Sequence, residues 1–504
     1  MTANRTSITI LHTNDFHGRN RPFEVITGSS TSQTGDPGQV RDEYEREGKV
    51  GGFPALATAI KRFREERGPE TVLLVDSGDA FSDDLLGNLT EGEAIIRLMK
   101  HLGYQFMSLG NHDFDYGTER TRQLEEIGGF PMRGANVIER STGEPFLGDP
   151  TLVLEASGVR VGFLALGYPN SGLTGNKKNL EPLEFTDGLE AVRRYLPSLR
   201  ERSDVTVILS HMGTALDRLL AEEMPDLDLI IGGHSHDRIS MERIGQVGIV
   251  QAVADASVLG ETVLHLQDGL LEKAENRLHT LWNDQFEDDP QVAQMLEDLR
   301  SPYREQLEEV IGKVTGPIGR NYRSESPFDK LAGEYMCQEL GTEIAFLPGV
   351  GYGITLLPGP LTREALFTLI PHPAKVVTLE LTGAQVLEIL EQSATNQKPG
   401  DPRKIVGGLV QTAGLRWTVD YNQPPGSRVK DVSVRGQPIE RERYYKAATN
   451  GGMQEGLHNF DTFSQGRNIQ RHDLLLHDLV EDAMRRQETV RPPNLGDIIL
   501  TGID

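Results

Sequence analysis

The chain has 504 residues, with 51 Lys plus Arg against 75 Asp plus Glu, a formal charge of −24 and 37% hydrophobic residues. At ~100 to 200 residues per domain this is soluble globular chain for roughly two to four domains, and its acidity argues against nucleic-acid or anionic-membrane binding, which need a cationic surface. Its single cysteine, Cys337, excludes an intramolecular disulfide and any C-x-x-C zinc or redox pair, so a metal here needs His, Asp and Asn ligands.

The chain begins MTANRTSITILHTND, without the basic start and apolar run of a secretory signal, and no stretch of ~20 apolar residues occurs. This predicts a cytoplasmic protein without a membrane span; export, with a signal removed, is the alternative. From Ser7 to about Leu266, β-branched runs alternate with helical stretches. Ile8 to His12, Thr71 to Val75, Val161 to Leu166, Val205 to Leu209 and Leu227 to Ile231 read as buried strands, with helical periodicity at Phe53 to Glu66 and Glu91 to Leu102. This is an α/β layered pattern, with polar clusters at the carboxyl ends of strands, where open α/β sheets place their sites. Arg19 to Val50 reads as a long surface loop or lid. Pro290 to Val310, interrupted by Pro302, reads as a connecting helix. Beyond it, helices at Pro327 to Leu340 and Gly383 to Ser393 alternate with strands at Val376 to Leu381, Val410 to Val419 and Val429 to Val434, a second α/β domain. The expected boundaries are 1–285, a linking helix at 286–312, and 313–504.

Five motifs lie after apolar runs of the first domain or in the turns behind them: Asp15-Phe16-His17-Gly18, Asp76-Ser77-Gly78-Asp79, Gly110-Asn111-His112-Asp113-Phe114-Asp115-Tyr116-Gly117, Ser210-His211 and Gly232-Gly233-His234-Ser235-His236-Asp237. Singly, each is a common cap or turn. Together they place five of the 13 histidines at strand ends beside Asp15, Asp79 and Asn111. Hard oxygens with imidazoles and no thiolates suit two divalent cations such as Mn, Zn, Fe or Co.

In this order, H-T-N-D-x-H-G, D-S-G-D, G-N-H-D-F-D-Y-G, S-H-M-G and G-G-H-S-H-D resemble the calcineurin-like metallophosphoesterases, and within them the bacterial 5'-nucleotidase and UDP-sugar hydrolase family. The second half is similar to that family's carboxyl-terminal substrate domain through L-x-P-G-P-L-T-R, V-V-T-L-E-L-T-G-A-Q-V-L-E-I-L-E and Gly407 to Trp417. The resemblance implies that Asp15, His17, Asp79 and His236 hold one metal. It implies that Asp79, shared between the two, holds the second with Asn111, His211 and His234. His112 and Asp115 match the family's catalytic dyad, and Asp76 and Asp113 read as residues that orient the ligands. The implied reaction is phosphomonoester hydrolysis by a hydroxide bridging two divalent metals (Mn, Zn or similar), with a nucleoside 5'-phosphate as leading substrate. The metals' charge would make the site locally positive on an acidic chain, and no covalent intermediate is needed, leaving Cys337 a buried core residue.

The second domain departs from the family. Pro348 stands where that family has a phosphate-contacting Asn, Gly353 where it has a phosphate-gripping Arg, and His372 and Ala374 where it has a stacking aromatic and an Asn. The expected substrate residues are therefore Tyr352, as a stacking or packed aromatic, His372, and Phe460 with Phe463 as the second clamp. Arg320, Arg323, Arg363 and Lys375 are candidate replacements for the lost Arg. The run from Pro348 to Gly359 is similar to thiosulfohydrolases, which cleave a sulfonate-type bond on a carrier protein's cysteine; this is the alternative enzyme. A non-catalytic binding protein on the same scaffold is the alternative of another class. The expected partner is a small anionic substrate, with no nucleic-acid polymer.

Overall fold

Side-chain alternation along the first strand, Arg5–Thr13, sets the architecture of the first half. In the computed structural model, which describes residues 5–29, 43–82, 84–321, 323–349 and 353–502, Ile8 and Ile10 enter a core shared by two facing sheets. One sheet runs in the order Leu270–Thr280, Val258–Gln267, Arg5–Thr13, Val72–Asp76, Phe106–Ser108, Met132–Arg133. The other runs Arg238–Ile244, Val247–Ala252, Leu229–Ile231, Val205–Ser210, Val159–Leu166, Thr151–Ala156. Leu73, Val75 and Phe106 meet Phe163, Ala165, Val207, Leu209, Leu229 and Ile231 in the layer between them.

The alternate residues of the second sheet, Leu164, Leu166, Ile208 and Ile230, face outward onto the helices Gly188–Arg200 and Thr214–Glu223 through Leu189, Val192, Leu196, Leu199, Leu216 and Leu220. Burial on both faces is why these strands read as continuous apolar runs. Each fully buried Leu, Ile, Val or Phe contributes roughly 1.5–3 kcal/mol. The central strands are parallel, with Thr13 beside Asp76, Asp76 beside Met107, and Leu209 beside Ile231, so their carboxyl ends leave each sheet on one edge.

The predicted strands and helices of this half all form, shifted by at most three residues at their ends. Within the expected long loop a short antiparallel hairpin, Phe23–Val25 with Gly48–Val50, is present; residues 30–42 lie outside the described residues. The helix Pro290–Arg300 is capped by Asp289, whose carboxylate accepts from the Gln291 and Val292 amides, and gives way to a 3₁₀ turn, Ser301–Tyr303, at Pro302, which lacks the donor a continued helix needs. It packs against Phe53–Arg67 and Glu93–Leu102, inside a first unit that runs to Arg304.

The second unit, from Glu305 onward, is also α/β. A five-stranded sheet runs Gln411–Ala413, Ile344–Leu347, Tyr444–Asn450, Lys375–Thr382, Arg467–Leu475, and a four-stranded one Gln437–Pro438, Val429–Val434, Leu415–Asp420, Ile498–Thr501. The single strand predicted at Val410 to Val419 is two strands in different sheets, broken at Gly414. The helix Pro327–Leu340 buries Phe328, Leu331, Tyr335 and Cys337, whose thiol is free and enclosed. No helix among the described residues is long and apolar enough to cross a membrane.

Candidate dimetal centre

The residues that follow the first and second parallel strands are held to each other by main-chain bonds. The Ser77 amide donates to Thr13 O (2.9 Å), Asp15 to Gly78 O (2.8 Å), His17 to Asp79 O (3.0 Å) and Gly18 to Ala80 O (3.0 Å). The polar residues of these loops and of the loop after Leu229–Ile231 have unusual backbone: Asp15, His17, Asp79, His234 and His236 all have positive φ, between 46° and 72°. Non-glycine residues seldom adopt that region, and clusters of it mark sites where geometry is kept against local preference.

Their side chains converge. Asp15, His17 and His236 offer donor atoms within 4.8 Å of one another, and so do Asp79, His211 and His234. His17 Nε2 and His236 Nε2 face each other at 2.9 Å, and Asp15 Oδ1 lies 3.3 Å from His236 Nε2, 3.7 Å from His17 Nε2 and 3.9 Å from His211 Nε2. Asp15 Oδ1 thus lies between the two groups. Asp79 Oδ2 is 3.0 Å from His211 Nε2, while Asp79 Oδ1 accepts the His112 amide at 2.7 Å. Asp15 and His211 are fully buried, and Asp79 and His236 are 2% exposed.

Asp15 Oδ1, Asn111 Oδ1 and His211 Nε2 are three buried donor atoms of this cluster left without a hydrogen bond, His211 Nε2 having only the 3.0 Å charged contact with Asp79 Oδ2. Orphaned buried polar atoms are costly and rare, and here all three belong to side chains that ligate cations. The donor set therefore fits divalent metals. Charge agrees: in the metal-free protein, burial raises the Asp79 carboxyl, but His211, His112 and His17 outweigh it and hold it well below the ordinary range. Burial lowers His211, yet Asp79 and Asp15 push it up to about 10. Burial and the charge on His211 lower His234 to about 3. Metal binding requires a neutral imidazole, so a divalent ion held by this cluster would displace a proton from His211.

A second layer fixes these groups. The Asp113 carboxylate accepts from the amides of Asp79 (2.9 Å), Ala80 (3.0 Å) and Gly110 (2.8 Å), tying two loop segments to one group. Asp76 accepts from the Gly78 amide (2.8 Å) and the Thr13 hydroxyl (2.6 Å). His211 Nδ1 lies 2.6 Å from Ser77 O, which leaves Nε2 facing the cluster. At Gly110 any Cβ would collide with the Asp79 carboxylate, so the loop carrying Asn111 passes this close only as glycine. Beside the cluster, His112 Nδ1 is 2.8 Å from Asp115 Oδ2, with both side chains about one-fifth exposed, and Asn179 Nδ2 donates to Asp115 O at 2.6 Å.

Two contributors escape sequence reasoning. Asn14 donates to Asp15 Oδ2 (2.7 Å) and to Val253 O (2.6 Å), orienting the carboxylate; it sits inside the H-T-N-D motif, the signal that marks it. The Tyr168 ring stacks on His234 with centroids 3.9 Å apart and planes at 25°. Its only sequence signal is its place two residues beyond the strand Val159–Leu166.

The predicted substrate residues fare differently. Tyr352 lies outside the described residues. His372 is half-buried in the turn before the strand Lys375–Thr382. Phe460 and Phe463, expected as an aromatic clamp, are core residues instead: Phe463 is fully buried, its ring 5.2 Å from Phe346 and 5.9 Å from Phe460. Neither presents an open face for stacking. Arg320 forks onto Asp329 (2.7 and 3.0 Å), Arg363 bonds Glu481 (3.0 Å), and Lys375 pairs with Asp473 (2.8 Å). At Gly353, with φ 95°, a Cβ would collide with Thr368 O, so this backbone has no room for an arginine.

Residues 8–238 match the calcineurin-like phosphoesterase family, and residues 310–465 match the 5'-nucleotidase C-terminal domain. Among curated relatives, the trifunctional nucleotide phosphoesterase protein YfkN of Bacillus subtilis (strain 168) is 24% identical over 81% of this chain, which covers only 31% of that longer protein. An apyrase of Tabanus yao is 27% identical over 90% of this chain and 86% of its own length. Among solved structures, the Thermus thermophilus sulfate thiohydrolase SoxB superposes with a TM-score of 0.89 at 23% identity, covering 99% of this chain and 97% of its own. A 5'-nucleotidase precursor, also from Thermus thermophilus, superposes at 0.86 with 24% identity, covering 99% and 100%. These two likenesses establish the fold. The chain belongs to the metallophosphoesterase hydrolases that join a calcineurin-like phosphoesterase domain to a 5'-nucleotidase C-terminal domain.

Proposed function

We propose that the chain is a dimetal phosphomonoesterase acting on nucleotides, nucleoside 5'-phosphates first among them. The observation that carries the reading is the convergence of two ligand groups with three orphaned donor atoms beside a hydrogen-bonded His112–Asp115 pair. Asp15, His17 and His236 would hold one divalent ion, and Asn111, His211 and His234 the other, with Asp79 shared; Mn, Zn or a similar metal suits this set. When bound, such a pair supplies Lewis-acid polarisation of a phosphoryl oxygen and acidifies water at neutral pH.

The chain's own residues do the rest. Asp115 fixes the His112 ring through Nδ1 and leaves Nε2 to donate a hydrogen bond or a proton to the oxygen that departs from phosphorus. Asp113 and Asp76 keep the loops from relaxing, and burial of Asp15, Asp79 and His211 keeps bulk water from competing for the donors. The curated relatives named as nucleotide phosphoesterase and apyrase support nucleotides as the substrate class.

One observation favours a second reading. The turn around Pro348 and Gly353 has lost both the Asn and the Arg of nucleotide-type sites, and the backbone at Gly353 excludes the return of the Arg. A sulfonate carried on a protein cysteine is the alternative substrate, in keeping with the activity for which the sulfate thiohydrolase neighbour is named. The test is turnover by Mn-loaded protein of 5'-AMP, UDP-glucose, 2',3'-cyclic nucleotides, p-nitrophenyl phosphate and a cysteine thiosulfonate. Hydrolysis of 5'-AMP is the expected result; turnover of the thiosulfonate alone would replace the nucleotidase reading, and no turnover with metal bound would favour a binding protein.

A further inference from the structure

Three arginines are buried among the described residues: Arg19 (7% exposed), Arg300 (3%) and Arg428 (5%). Arg428 donates to the carbonyls of Ala394 and Lys398 at 2.7 Å and of Gln423 at 3.2 Å. Arg300 donates to Asn20 Oδ1 at 3.0 Å. Arg19 differs from both: its side chain makes no hydrogen bond or ion pair among the described residues, its buried Nε has no partner, and its guanidinium carbon lies 5.8 Å from the Phe23 ring centroid. A cation withdrawn from water without a counter-charge is unfavourable, so such a group is normally balanced by something that binds it.

The backbone around it is fixed. The Arg19 amide donates to Phe16 O (2.8 Å), closing a turn whose inner residues, His17 and Gly18, have φ of 46° and 69°. Asn20 Nδ2 then donates to Gly18 O (2.9 Å) and Asp84 Oδ2 (2.6 Å), and Asn20 O accepts the Phe53 amide (3.1 Å). The turn that carries His17 also carries Arg19, two residues on, with its main chain held on both sides and its side chain left without a polar partner among the described residues. In the second unit, by contrast, Arg320 and Arg363 are engaged by carboxylates, and Gly353 has no space for a side chain.

Resting on the dimetal hydrolase reading, we propose that Arg19 is the substrate-binding guanidinium of this protein, gripping the tetrahedral oxyanion, phosphate or sulfonate, of the substrate. Its planar fork suits two oxygens of one such group.

The test compares wild type, Arg19→Gln and Arg19→Lys as full-length Mn-loaded proteins. Inorganic phosphate binding is measured by calorimetry, metal content by atomic spectroscopy, and kcat and KM with p-nitrophenyl phosphate. Equal metal content, with phosphate affinity about 10-fold or more weaker in Arg19→Gln, KM raised in step, and partial retention in Arg19→Lys, supports the proposal. Unchanged phosphate affinity and KM in Arg19→Gln overturns it, as does loss of metal in both variants, which would make Arg19 a structural part of the His17 turn. The two claims fail separately: a wild type that turns over no ester contradicts the hydrolase reading, while the phosphate titration still decides on Arg19.

Discussion

The two units treat their polar residues in opposite ways. In the first, carboxylates and imidazoles converge at strand ends with donor atoms left unsatisfied, on backbone held at positive φ. In the second, the residues that resemble a substrate site are satisfied within the fold: Arg320 by Asp329, Arg363 by Glu481, Phe463 by Phe346 and Phe460. Unspent polar capacity points to a ligand and spent capacity to structure. The contrast separates a cluster with polar capacity left for a ligand from a second unit whose candidate side chains are held within the fold.

The largest expected effect comes from Asp79→Ala, which removes the carboxylate closest to His211 and the acceptor of the His112 amide. Metal content and turnover should disappear together; full metal content in this variant would remove Asp79 from the ligand set. His112→Ala should keep its metal and lose roughly 10²–10⁴-fold in kcat, the range of a lost general acid. Wild-type rates would remove the dyad from the mechanism. Asp113→Asn keeps the size of a side chain that accepts three amides but gives up one acceptor oxygen, and should weaken metal affinity by about 10–100-fold. Metal titration checks this, and an unchanged affinity would show that the loops hold themselves. In the second unit the effect on chemistry should be smallest. Phe463→Ala should cost about 3–5 kcal/mol of stability in denaturant unfolding, as core truncations do, and leave KM unchanged at a temperature where the variant is folded. A large rise in KM without loss of stability would restore Phe463 as a clamp.

Sequence and structure agree where the physics is local or repeated. The buried central strands are legible because burial on both faces writes continuous apolar runs, and four of the five motifs stand out because each closely follows such a run. Other features depend on tertiary surroundings. The run from Val410 to Val419 reads as one strand, and nothing in it shows that Gln411–Ala413 joins one sheet and Leu415–Asp420 another. Phe460 and Phe463 read equally well as clamp or core until their neighbours are known. Arg19, Arg320 and Arg363 are indistinguishable in sequence, because neutralisation by Asp329 or Glu481 is a contact made by the fold. Tyr168 escapes notice because its partner, His234, is 66 residues away in the chain.

The most direct test of the central claim is a metal titration of chelator-stripped protein, following bound Mn per chain and p-nitrophenyl phosphate hydrolysis in the same samples. The account predicts saturation at two ions per chain, proton release on binding as His211 deprotonates, and activity that rises with occupancy. Tight binding of no metal, or full hydrolysis by the stripped protein, would contradict it.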